Sequence, residues 1–170
     1  MKGVNLRYLS IDNALAVSGW AIWEDNTLLS HGVIKTKSTE EIGHRLISLR
    51  NELDALITMW NVDKVFFEDC QSQNNRNQQT YHKLSMVKAV ILLVCADREL
   101  PHVCFSPSSW RSVLNNRFKF KFGRVRTEQK IRAKEFVKEH FQIEATEDEC
   151  DAICLGYAGI LEENKNKSDW

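Results

Sequence analysis

Two short apolar runs in this chain each close on a carboxylate: Leu9-Ser10-Ile11-Asp12 and Val65-Phe66-Phe67-Glu68. A lone carboxylate is costly to bury, so an acid that closes an apolar strand belongs at the strand's C-terminal lip. Open α/β sheets keep their ligand sites at that lip. The pair therefore asks for a sheet with both runs inside it, and it marks where chemistry would sit.

The rest of the chain supplies such a sheet. Tyr8–Asp12, Gly19–Glu24 and Thr27–Lys35 read as strands, the last two joined by the turn pair Asp25-Asn26. The period then changes. Ser38-x-x-Glu41 reads as a capping box, and Ile42, Leu46, Leu49, Leu53, Leu56 and Ile57 recur at helical spacing toward Trp60. Lys64–Glu68 is a strand, a polar segment spans 71–79, and a helix is expected from about Thr80 to Arg98. Pro101–Phe105 is a fifth strand, and Pro107 opens a short helix to Leu114. A basic loop over 115–126, a helix over Thr127–Phe141 and a second capping box, Thr146-x-x-Glu149, lead into a last helix over 147–163. Strands alternating with helices predict a mixed five-stranded α/β sheet with helices on both faces. At 170 residues one domain is expected, over 1–163, with 164–170 as a polar tail.

Asp148 and Asp151 add to the two strand-end acids. Spaced i, i+3 at the start of the last helix, they share a face. Four carboxylates brought together repel one another, and a divalent cation relieves the repulsion. Oxygen-only ligands suit Mg²⁺ or Mn²⁺ rather than zinc. Two such ions about 4 Å apart can clamp the attacking and leaving oxygens of a phosphoryl displacement. Each acid alone has an ordinary explanation, as a turn acid, a cap or a partner of the helix dipole. The joint pattern does not.

Charge points to a polyanion. The totals balance, with 23 basic and 23 acidic residues, yet Arg111–Lys138 carries ten basic and two acidic. That stretch is +8 and the remainder −8. Aromatics interleave with the charges in Phe118-Lys119-Phe120-Lys121-Phe122. In an extended chain the two sets project to opposite faces, so the phenylalanines bury or stack on bases while the cations project. Arg76, Arg111, Lys119, Lys121, Arg124, Arg126 and Lys130 are the candidate DNA-binding residues. The five cysteines show no CxxC spacing and read as reduced, buried thiols. The longest apolar stretch, Ala89–Ala96, is far too short to cross a bilayer. It is too apolar for a one-sided helix, so burial on two faces is expected, one of them a possible dimer seam. No secretory signal is read at the N-terminus, and a cytoplasmic protein is expected.

Several of these motifs resemble, in order and over nearly the whole chain, the RuvC-like Holliday junction resolvases. Asp12-Asn-Ala-Leu15 with Gly19 resembles the opening D-P-G-L motif and its following glycine. Gly32-Val-Ile-Lys-Thr36 resembles G-x-I-x-T, Val65-Phe-Phe-Glu68 the second acidic strand, Glu99-Leu100-Pro101 the connection into the fifth strand, and Asp148-Glu-Cys-Asp151-Ala152 the D-x-x-D-A motif. The shorter phage-encoded members look most similar, which would place the protein in a host cytoplasm. The resemblance implies an RNase H-like fold, a homodimer and Mg²⁺-dependent nicking of branched DNA, with no other small-molecule cofactor. It makes Asp12, Glu68, Asp148 and Asp151 the catalytic metal ligands. There are departures. Asn13 and Ala14 replace Pro-Gly, which is accommodated if Asn13 takes the turn conformation. Gln71 stands where many members carry an aromatic, and Thr127 where a basic residue is common, with Arg126 and Lys130 beside it.

Three other readings are open to the sequence. A non-cleaving branched-DNA-binding module would be expected to have lost at least one acid. A ribonuclease H acting on RNA–DNA hybrids would share the acids. An actin-like phosphotransferase would want a glycine at Ala14 and a longer chain.

Overall fold

A computed structural model describes residues 5–70 and 78–168. Its elements in chain order are β1 (Arg7–Asp12), β2 (Val17–Glu24), β3 (Thr27–Lys35), α1 (Ile42–Trp60), β4 (Lys64–Glu68), α2 (Gln78–Asp97), β5 (His102–Phe105), α3 (Pro107–Phe118), α4 (Arg126–Phe141) and α5 (Glu147–Ser168). The strands form one sheet in the order β3-β2-β1-β4-β5. The hairpin strands β1, β2 and β3 are antiparallel, while β1–β4 and β4–β5 are parallel. The expected mixed five-stranded sheet with helices on both faces is present.

Side chains alternate along each strand, so each strand feeds two cores. Leu9, Ile11, Val65 and Phe67 join Leu49, Leu53 and Ile57 of α1 and Val87, Ile91 and Val94 of α2. Tyr8, Trp23 and Phe66 join Trp110, Phe136 and the apolar side of α5 on the other face. Asp12 and Glu68 share the parity of Tyr8 and Phe66, and so belong to the α5 side.

α5 lies unusually close to the sheet because small residues line its inner side. A Cβ on Gly156 would come within 2.3 Å of Ser10 Oγ, and one on Gly159 within 2.9 Å of the Phe66 ring. The Ser10 hydroxyl donates to the Ala152 carbonyl at 2.7 Å, which satisfies a buried polar group at the contact.

Several boundaries differ from expectation. Ser38 does not cap α1; Glu41 does, its carboxylate accepting from the Gly43 N–H at 2.9 Å. Within the described residues α2 is already helical at Gln78, before the expected Thr80, and α3 continues to Phe118, which shortens the basic connection to 119–125. Lys119 ends α3 in the left-handed conformation, at φ 56°. α5 runs on to Ser168 rather than giving way to a tail after Glu163. Lys64 Nζ holds Glu163 at 2.5 Å and Asn164 bonds Asn26, so this end of the helix is tied to the sheet.

The Ala89–Ala96 run is buried on one face only within this chain. Val87, Ile91, Val94 and Cys95 face the core, while Leu93 is 61% and Met86 40% exposed. All five cysteines are free; three are buried, but Cys70 is only partly so and Cys104, on the edge strand, is exposed. No helix among the described residues is long and apolar enough to cross a membrane.

Candidate active site

The strand register places the first two acids. Ile11 pairs with Phe67 across parallel β1 and β4, so Asp12 and Glu68 follow at one lip. Asp12 also sits opposite Gly19 of β2. A Cβ at Gly19 would lie 1.9 Å from the Asp148 carbonyl oxygen, so only glycine lets the first turn of α5 press against β2. Asp148 and Asp151 arrive at the lip on that turn.

The start of α5 is secured from two sides. The capping box forms as the sequence indicates: the Glu149 carboxylate accepts from the Thr146 N–H at 2.8 Å and its hydroxyl at 2.6 Å. The other Glu149 oxygen lies 2.8 Å from His31 Nδ1 on β3. Sequence reasoning passed over His31, because nothing local marks a strand histidine as the partner of a helix cap far along the chain.

Asn13 does something other than expected. It does not adopt a left-handed turn; its buried side-chain carbonyl accepts from the Glu68 N–H at 3.0 Å and ties the ends of β1 and β4 together. Trp110 is fully buried and donates its indole N–H to Glu68 Oε2 at 2.9 Å.

The electrostatics follow from crowding. Burial, then Asp151, Glu68 and Asp148, push the Asp12 carboxyl well above the usual carboxylate range, with Lys130 opposing. Asp151 is pushed up to about 7 by burial and by Glu68, against Arg111 and Lys130. Burial raises Glu68, while the Trp110 N–H and the Arg111 and Arg126 cations pull it down. Asp12, Glu68 and Asp151 thus lie near enough to disturb one another, with Asp148 adding to the repulsion on Asp12 and Asp151. No three His, Cys, Asp or Glu side chains among the described residues are gathered tightly enough to frame an ion as they stand. An all-carboxylate donor set with raised affinity for protons suits a hard divalent cation.

The basic residues divide into two groups. Lys119, Lys121 and Arg124 are exposed on the connection into α4, and Arg126, also exposed, opens α4 close enough to Glu68 to help pull its carboxyl down. Between them Phe120 and Phe122 are buried, their rings 5.1 and 5.8 Å from that of Phe136, and Phe118 packs at 5.5 Å. The aromatics are therefore core, not a stacking platform for bases. Arg111 and Lys130 are instead near the acids: the Arg111 guanidinium lies 4.4 Å from the Trp110 ring centroid, and Lys130 pairs with Glu147 at 2.7 Å. Arg76 and Gln71 fall outside the described residues.

An RNase H-like sheet with carboxylates at the lip of its two central parallel strands suits the chemistry of the phosphodiester-cleaving nuclease class. Comparison with known proteins narrows this. The family model described as crossover junction endodeoxyribonuclease RuvC matches residues 8–153, and the chain belongs to the RuvC family. RuvC of Rickettsia conorii is 24% identical over 160 residues, covering 92% of this chain and 98% of that protein. RuvC of Thermomicrobium roseum is 28% identical over 124 residues, covering 71% and 72%. Among solved structures, Thermus thermophilus RuvC in complex with a Holliday junction substrate superposes with a TM-score of 0.73 at 12% identity, covering 94% of this chain and 96% of that one. The yeast mitochondrial Holliday junction resolvase Ydc2 gives a TM-score of 0.54 at 14% identity, covering 97% and 86%.

Proposed function

We propose that this protein is a crossover junction endodeoxyribonuclease that nicks four-way DNA as a homodimer, with Asp12, Glu68, Asp148 and Asp151 holding Mg²⁺. The observation that carries the reading is the meeting of two strand-end acids with the first turn of α5 at one lip of an RNase H-like sheet. Membership of the RuvC family supports junction DNA as the substrate.

Divalent cations bound there would supply Lewis-acid stabilisation of the phosphodiester and activation of water for in-line displacement. The chain supplies the rest. Asp12, between β2 and β4 and facing the charge of all three other acids, would bridge their ligand set. Asn13, Trp110 and the Gly19 contact hold the ligands in register. Arg111 and Lys130 set a positive margin that draws a phosphate toward an otherwise negative lip. Lys119, Lys121, Arg124 and Arg126 grip flanking phosphates. A two-fold dimer provides two copies of one site for the two symmetric nicks a junction requires. The exposed Leu93 and Met86 on α2 offer an apolar face for that contact.

The test is to incubate the protein with four-way, three-way, flap, linear and RNA–DNA hybrid substrates, with and without Mg²⁺, and to map the nicks. Paired, Mg²⁺-dependent nicks at the four-way crossover are expected. Preference for the hybrid, or binding without cleavage at any Mg²⁺ concentration, would overturn the reading.

A further inference from the structure

Trp110 stands out among the buried residues because its polar atom is bonded to a carboxylate at the lip. A buried indole N–H needs an acceptor, and most find a backbone carbonyl or another neutral group. Here the acceptor is Glu68 Oε2, at 2.9 Å. The indole has a single donor and the carboxylate two oxygens. One oxygen is thereby engaged by Trp110 and the other left free to meet a cation.

The ring itself is immobilised. Trp110 is 0% exposed, the Phe122 ring meets it edge-on at 5.5 Å, and the Arg111 guanidinium lies over its face. Its position follows from a short path: β5 ends opposite Glu68, Ser106 caps α3, and the first turn of α3 folds Trp110 back over the end of β4. Glu68 is then held at both ends, by Asn13 at its backbone and by Trp110 at its carboxylate. A carboxylate repelled by Asp12 and Asp151 would otherwise turn away from them.

We infer that Trp110 is a positioning residue for metal binding, fixing the orientation of Glu68 through its indole N–H. This rests on the assignment of Glu68 as a metal ligand. Hydrogen-bond partners of metal ligands usually contribute about 10–100-fold in metal affinity or activity.

The test uses the full chain and Trp110→Phe, which keeps an aromatic ring and removes the N–H. Mg²⁺ binding is measured by calorimetry, alongside the Mg²⁺ concentration for half-maximal nicking and junction affinity without metal. Trp110→Phe should weaken Mg²⁺ binding by about tenfold and raise the half-maximal concentration. Metal-free junction affinity should stay at the wild-type level. In a Glu68→Gln background the same change should cost nothing further, since the two act as one unit. Should Trp110→Phe fail to fold, the assigned indole N–H resonance of Trp110 is followed in the wild type during a Mg²⁺ titration: it should shift as Glu68 takes up the ion, and an unmoved resonance under Mg²⁺ saturation would overturn the inference. Wild-type Mg²⁺ affinity in Trp110→Phe, or an equal loss with and without Glu68, would overturn the inference while leaving the metal site standing. A wild-type protein that neither binds Mg²⁺ nor nicks would remove the site assignment itself.

Discussion

At the scale of single residues, Asp12 stands out because burial and the charges of all three other acids push its carboxyl well above the usual range. Asp12→Asn keeps the shape and removes the charge. It should lower nicking by about a thousandfold or more, given several kcal/mol of metal-derived stabilisation at 1.36 kcal/mol per decade, and leave junction binding in place. Gel-based nicking and binding assays on one preparation would show it; near wild-type cutting would refute the assignment. Asp151 yields a test of the crowding itself. Its carboxyl is raised to about 7 from 3.8. At the lowest pH both folded and unfolded chains hold the proton. Between these two values only the folded chain does, so stability falls as pH rises through that window and then levels off. The raised Asp12 and Glu68 act in the same direction. In EDTA the melting temperature should be higher at pH 5.5 than at pH 8, and Mg²⁺ at pH 8 should close the gap. Equal melting temperatures in EDTA would mean the acids are not crowded.

At the scale of elements, the first turn of α5 is the part on which the site turns. Its approach to β2 depends on the missing side chain of Gly19. Gly19→Ala sets a methyl carbon 1.9 Å from a backbone oxygen, which neither strand nor helix can relieve without moving apart. A stability loss of about 1–3 kcal/mol is expected, with a larger fractional loss of nicking because Asp148 and Asp151 move with the turn. Denaturant unfolding and nicking rates would separate the two effects. The connection from α3 to α4 behaves differently, since its aromatics are anchored and its cations are free to meet DNA. Changing Lys119, Lys121 and Arg124 together to Ala should flatten the log–log salt dependence of junction binding by up to about 2.7. The weakening should be similar across sequences, because phosphate contacts position the protein without reading bases. An unchanged slope would place the DNA path elsewhere.

At the scale of the whole molecule, one sheet separates two cores with different duties. The α1–α2 side is apolar and remote from the acids, and its outer face leaves Leu93 and Met86 in the open. The α3–α5 side carries the acids and the basic connection. Under the proposed function, that division would let one face serve assembly while the other serves DNA. Sedimentation at micromolar concentration should show a dimer, and Leu93→Glu should shift it toward monomer. Paired nicking should then fall away faster than single nicking. A wild-type monomer that still makes both nicks would refute the two-fold arrangement.

What the sequence by itself determined is local and periodic. Alternation and helical spacing are short-range properties, so the five strands, the major helices and the FKFKF division of aromatic from cation were legible. So were the acids, because a carboxylate at the end of an apolar strand contradicts its surroundings and a capped i, i+3 pair declares its own face. Helix ends were less legible, since competing caps such as Ser38 and Glu41 differ by little free energy and tertiary ties such as Lys64–Glu163 decide how far α5 continues. The partners of the acids were not legible at all. Asn13 bonding Glu68, Trp110 bonding the same residue, and His31 bonding Glu149 join positions 55, 42 and 118 residues apart. Such contacts have no period and no local signal. They exist only because the sheet order brings β1 beside β4, and glycines let α5 lie close enough to close the lip.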